Sequence, residues 1–127
     1  GKGFPPSHPL LRGIVDFRRG RWAEAERWLQ QVQSTNLHEN CLRDYFAAMA
    51  RHQNGDKAGA LATLQRANDS LETRLKSGDL GWVWDSDGRC VLARIEAERL
   101  ILGHEVSPFP DAVWLLEQRC AKYRRKD

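Results

Sequence analysis

The sequence predicts an all-α protein built as an array of helical hairpins. Three observations carry that prediction. Apolar residues recur at helical spacing in every long segment, and no run alternates apolar with polar residues for long enough to make a strand. Glycine and Asn-Gly punctuation falls between the periodic segments, where a helix end needs a residue that enters the left-handed region without a Cβ clash. The stretch GRWAEAERWL, Gly20 to Leu29, is echoed by GDKAGALATL, Gly55 to Leu64, 35 positions later.

The elements follow in order. Pro5, Pro6 and Pro9 hold an extended leader over about residues 1–6, with Ser7 as the expected N-cap of a first helix. That helix runs to about Arg19 and is stopped by Gly20. A second is expected from Trp22 to Ser34, with Ala25, Trp28, Leu29 and Val32 along one face. STNLHEN forms a turn. A third helix runs from about Glu39 to Gln53, with Leu42, Tyr45, Phe46, Met49 and Ala50 as its buried stripe and Ala47 and Ala48 as small contact positions.

Asn54-Gly55-Asp56 ends the third helix and opens the fourth, Lys57 to Lys76, whose apolar face carries Ala60, Leu61, Leu64, Ala67, Leu71 and Leu75. The short connections make helices one and two antiparallel partners, and likewise three and four. A fifth helix, about residues 84–102, begins in the stretch LGWVWDSDG and is ended by Gly103. Val91, Leu92, Ile95, Ala97 and Leu100 to Leu102 cover so much of its circumference that it is expected to pack on two sides. The linker HEVSPFP leads to a last helix over about residues 110–123, with Val113, Leu116, Cys120 and Tyr123 on one face.

The chain has 127 residues, 41% hydrophobic and 29% charged, a balance that suits one globular domain, residues 7–127. No apolar run approaches the ~18–20 residues that span a bilayer, and no membrane partner is expected. Gly1 stands where an initiator Met would, and reads as the scar of a removed tag on a piece of a longer protein. The three cysteines, Cys41, Cys90 and Cys120, are widely spaced and form no CxxC; free thiols in a reducing cytoplasm are expected, with no metal and no cofactor. The net charge of +3 is mild and its signs are interleaved, so nucleic acid is the weakest of the partner classes despite Arg18, Arg19, Arg21 and the basic tail KYRRK.

The echo extends beyond the two quoted stretches. At the same offset Gly13 falls opposite Ala48, Leu11 opposite Phe46, Ile14 opposite Met49, Ala25 opposite Ala60, Leu29 opposite Leu64 and Val32 opposite Ala67. Small meets small and large meets large. Two helices approach within ~8–10 Å only where small side chains face each other, so Gly13 with Ala25 and Ala48 with Ala60 mark the expected crossing points of two hairpins. A period in the thirties with helix–turn–helix units signals a solenoid.

This pattern resembles the tetratricopeptide repeat. Gly13, Phe17, Gly20, Trp22, Ala25, Leu29 and Val32 match it in a first unit, about residues 7–37; Ala48, Gly55, Ala60, Leu64 and Ala67 match it in a second, about 39–76. The second unit departs at Arg51-His52, where an aromatic is usual, and at Lys57, where Trp22 stood. Neither unit ends in the usual Pro, and the period is one residue longer than the common one. The resemblance implies a TPR-like α-solenoid of two hairpins with one or two capping helices. A narrower likeness, carried by RGIVDFRRGRWAEAERWLQ, FAAMARHQNGDKAGALATLQRA and EAERLILG, is to the C-terminal helical region of large bacterial serine/threonine kinases. These residues contain no Gly-rich loop, HRD or DFG.

The candidate chemistry is sparse. DSDG, Asp85 to Gly88, opens like a calcium loop, but Arg89 and Cys90 stand where the loop needs an oxygen ligand and a Gly. A helix N-cap by Asp85 or Ser86 is the better reading. The four histidines lie in different segments; His52 near Asp56 is the closest approach to an acid–base couple, and His52 more simply favours a helix C-terminus. Trp22 and Trp28 fall at core positions, and Trp82 and Trp84 are expected to seal the second hairpin, with the lining of a groove as the alternative. No enzymatic activity is expected.

What the resemblance implies is a binding face made by the first helix of each hairpin: Leu10, Leu11, Ile14, Phe17 and Arg18 in unit one, and Leu42, Tyr45, Phe46, Met49, His52 and Gln53 in unit two. Leu10, Ile14 and Phe46 stand where some family members place Asn and Lys to clamp a carboxylate, so no such clamp is expected. The apolar face either grips a protein or peptide partner or is filled by the fifth and last helices. The expected function is protein–protein interaction or scaffolding, with homo-oligomerisation or a structural C-terminal module as the alternative.

Overall fold

The computed structural model describes residues 8–33, 37–76 and 84–103, which form five α-helices and no strand. They are α1 (Pro9–Arg18), α2 (Trp22–Gln30), α3 (Leu37–Gln53), α4 (Lys57–Lys76) and α5 (Trp84–Leu102). The expected last helix, with Trp114, and also Trp82 and Cys120, lie outside the described residues.

The turns between α1 and α2 and between α3 and α4 are built alike, bond for bond. Gly20 has φ 79°; its N–H donates to the Phe17 carbonyl at 3.0 Å and the Arg21 N–H donates to that of Asp16 at 2.8 Å. Gly55 has φ 94°; its N–H donates to the His52 carbonyl at 3.1 Å and the Asp56 N–H to that of Arg51 at 2.8 Å. This double bond around a left-handed residue satisfies the carbonyls that a helix end leaves orphaned. Each turn passes straight into the next helix, through Ala25 N–H to Arg21 O at 2.9 Å and Ala60 N–H to Asp56 O at 3.0 Å. Only the second start carries a side-chain cap, Asp56 Oδ1 accepting from the Gly59 N–H at 2.9 Å; Arg21 gives α2 none.

α1 packs on α2 and α3 on α4, as the short connections require, while α5 packs on α3 and α4. α3 touches all four other helices, and its unbroken run from Tyr45 to Ala50 is buried as a result. The size-matched pairs Ala25 and Ala60, Leu29 and Leu64, Val32 and Ala67, and Gly13 and Ala48 are all buried. Two pairs part company: Leu11 is 57% exposed against buried Phe46, and Ile14 is half-buried against buried Met49. The reason is position, because among the described helices the α1 backbone packs closely on α2 and α3 alone.

Several boundaries differ from expectation. α1 begins at Pro9, with His8 rather than Ser7 at the N-cap and no side-chain cap bond; Pro at the first helical position needs no N–H partner. α2 ends at Gln30 instead of Ser34. Its end tightens through Gln31 N–H to Trp28 O and Val32 N–H to Leu29 O, both at 3.1 Å, and the Val32 carbonyl is taken by Arg43 Nη1 at 3.0 Å. α3 starts at Leu37, two residues before Glu39. α5 starts at Trp84, so Asp85 and Ser86 lie inside its first turn and neither is its N-cap. On α4, Leu61 is 48% exposed; Thr63 is buried in its stead, donating to the Gly59 carbonyl at 2.8 Å and accepting from Arg51.

Candidate functional site

The region that gathers the most functional character lies where α1, α3 and α5 face one another. Phe17 ends the buried stripe of α1 and meets Phe46 of α3 edge-on, with ring centroids 5.7 Å apart and planes at 78°, the geometry aromatic quadrupoles favour. The Arg18 guanidinium lies over both rings, 5.8 Å from the Phe17 centroid and 5.2 Å from that of Phe46. From there it forms a bidentate pair with Glu96 of α5, Nη2 donating to Oε1 at 2.8 Å and Nη1 donating to Oε2. The hydrogen bond to Glu96, more than its charge, raises the Arg18 pKa further, and burial opposes it.

Beside this pair is an open groove of about 570 Å³. Phe17 and Gln53 line one side; Leu92, Ile95, Glu96, Arg99 and Leu100 of α5 line the other. Leu92 is 68% exposed, the most among the large apolar residues described. α5 therefore walls the groove without filling it.

The eleven residues assigned to the expected binding face separate in the structure, and Leu11, 57% exposed, does not line the groove. Phe17 and Gln53 line the groove, and Arg18 borders it. Leu10, Ile14 and Leu42 are half-buried against the core, and Phe46, 5% exposed, lies under Arg18. Tyr45 and Met49 have no exposed surface and belong to the core, because α3 is enclosed by its neighbours. His52 is half-buried, with a buried Nδ1 that has no hydrogen-bond partner; Asp56 is engaged as the α4 cap, so the two form no acid–base couple.

Trp22 and Trp28 are half-buried, short of the core placement expected for them. Arg12 stacks over Trp28 at 4.8 Å from the ring centroid. The inward positions of α2 are Ala25 and Leu29. Arg19 and Arg21 are exposed, but Arg18 is committed to Glu96.

Sequence reasoning missed a buried polar network behind the groove. The Tyr45 hydroxyl donates to Asn68 Oδ1 at 2.8 Å, and Asn68 Nδ2 donates to Glu98 Oε2 at 3.3 Å. Arg94 Nε donates to the same Glu98 oxygen at 3.2 Å and its Nη1 to Glu72 Oε1 at 3.2 Å. Glu98 is 1% exposed and Arg94 5%. Burial, and to a smaller extent nearby Cys41, pushes the Tyr45 pKa strongly upward. The signal that could have revealed the network is the apolar circumference of α5, on which charges four residues apart share one buried side.

Cys41 and Cys90 are buried, and Cys41 Sγ donates to the Ala67 carbonyl at 3.9 Å. Among the described residues no group of three or more His, Cys, Asp or Glu could hold a metal ion, and no helix is long and apolar enough to cross a membrane. In comparisons with known proteins, no family model, no curated protein and no solved structure matches this chain.

Proposed function

We propose that the chain is a TPR-like helical array that serves as a non-catalytic interaction module of a larger signalling protein, docking a partner segment in the groove between α1, α3 and α5. The observation that carries this reading is the groove wall itself: Leu92, 68% exposed, stands with Ile95 and Leu100 opposite Phe17. Covering apolar surface returns about 25 cal/mol per Å², and helix-in-groove docking draws on side chains spaced like these. An open trough suits the apolar side chains of a peptide or amphipathic helix better than an enclosed small molecule.

The solenoid part of the reading is supported by the duplicated turns at Gly20 and Gly55 and by the size-matched buried pairs. The likeness to kinase C-terminal regions is what suggests a bacterial signalling parent. A cytoplasmic location belongs to the same proposal and draws on the three widely spaced cysteines, whose pattern suggests no disulfide framework.

Affinity capture with the wild-type chain, Leu92→Asp and Leu61→Asp tests it. Leu61 is 48% exposed on α4 and does not line the groove. A partner kept by wild type and Leu61→Asp but lost by Leu92→Asp supports the groove. Equal capture by all three contradicts it. If the captured species is the chain itself, confirmed by concentration-dependent mass in light scattering, the groove is a self-association surface instead.

A further inference from the structure

We infer that the Arg18–Glu96 pair is a strap that ties α1 to α5 across α3 and holds the groove at its present width. The inference concerns the regulation of the proposed docking face and takes its biological use from that reading. α1 and α5 make no close backbone approach; each packs on α3, and the side chains of Arg18 and Glu96 bridge them. The bridge stands at Arg18, the last residue of α1, two residues before the left-handed turn at Gly20.

Two features set the strength of the strap. Its geometry is bidentate, and Arg18 is steadied over two aromatic rings, so the guanidinium is held ready for a carboxylate. Yet both side chains are well exposed, 52% for Arg18 and 38% for Glu96. Exposed pairs are weak and screened by salt. A pair of this kind biases a closed-to-open ratio by about two- to fivefold, enough to poise an equilibrium but not to lock it. Release uncovers the faces of Phe17 and Phe46 under the guanidinium and frees the α1 wall from the α5 wall. Salt, or a competing carboxylate on an incoming partner, therefore sets how open the groove stands.

The test uses nitroxide labels carried by genetically encoded residues at positions 11 and 92, exposed leucines on α1 and α5, so the native cysteines are untouched. Pulsed electron spin resonance reads the distance distribution in ~50 mM and ~1 M salt, where the screening length falls to about 3 Å. The strap predicts one dominant distance at low salt. In wild type at high salt, and in Glu96→Gln or Arg18→Gln at low salt, a longer distance gains about two- to fivefold relative to it. The double variant should open no further than either single one. A wild-type distribution unchanged from low to high salt overturns the inference and needs no variant to fold. So does a Glu96→Gln distribution identical to wild type in a sample whose circular dichroism shows intact helix. Failure here leaves groove docking standing, and retained capture by Leu92→Asp leaves the strap standing.

Discussion

Gly13 lies so close against Leu29 that a Cβ built on it would stand 2.6 Å from the Leu29 Cγ and Cδ2 and 3.3 Å from the Ala25 carbonyl oxygen. Leu29 is fully buried and has nowhere to retreat. Gly13→Ala therefore sets two effects against each other. Alanine improves helix propensity by about 1 kcal/mol, while overpacking a tight core costs about 1–3 kcal/mol. The expected net is a loss of about 1 kcal/mol in urea unfolding. In a Leu29→Ala background, where room exists, Gly13→Ala should turn stabilising. A stabilising Gly13→Ala in the wild-type background would show that the helices do not cross there.

The duplicated turns make a paired prediction. Gly20 and Gly55 both have positive φ, and a Cβ at either would meet nothing within 4 Å, so backbone strain is the whole cost of a side chain. Gly20→Ala and Gly55→Ala should each lose about 1–2 kcal/mol, with Asn milder than Ala at both sites. Clearly unequal penalties in denaturant titrations would mean that the two turns are not equivalent units.

These glycines also show what a sequence makes legible. A left-handed cap is a local property, written in Gly or Asn-Gly between periodic stretches, and the bounds read for the fourth helix and the end read for the fifth match α4 and α5. The end of α2 was illegible because Arg43 on α3 takes the Val32 carbonyl, a tertiary event the period of α2 does not encode. The groove was legible in part. Phe17, Arg18 and Gln53, expected on one face, lie at or beside it, but Tyr45 and Met49 share helical spacing with them and are buried by neighbours that periodicity does not name. The opposite wall, from Leu92 to Leu100, depends on how α5 turns against α3 and α4, and its apolar circumference left that rotation open.

The network behind the groove should be costly to break and cheap to replace. Glu98→Leu removes the buried carboxylate that pairs with buried Arg94 and should cost about 3–5 kcal/mol. Arg94→Met combined with Glu98→Leu removes both charges and should recover most of that loss. Thermal unfolding of the two single variants and the double variant decides the matter; a double variant as unstable as the sum of the singles would refute the pairing.

Tyr45 gives a pH dependence. Burial raises its folded pKa far above the unfolded value of about 10. Above pH ~10 the unfolded chain releases this proton and the folded one keeps it, so stability falls by about 1.4 kcal/mol per pH unit from this group. Below pH ~10 the contribution is fully present. Tyr45→Phe gives up the Asn68 hydrogen bond, about 1 kcal/mol, but should lose less stability between pH ~10 and ~11.5 than wild type. Parallel stability curves across that range would place the phenol in water.

The groove is tested most directly by photo-crosslinking from inside it. A benzoylphenylalanine at position 92, on the α5 wall, and one at position 61, on the exposed side of α4, are compared in the cells that make the protein. Docking in the groove predicts a discrete protein adduct from position 92 that is absent from position 61. Adducts of equal yield from both positions, or an adduct from position 61 alone, would contradict it.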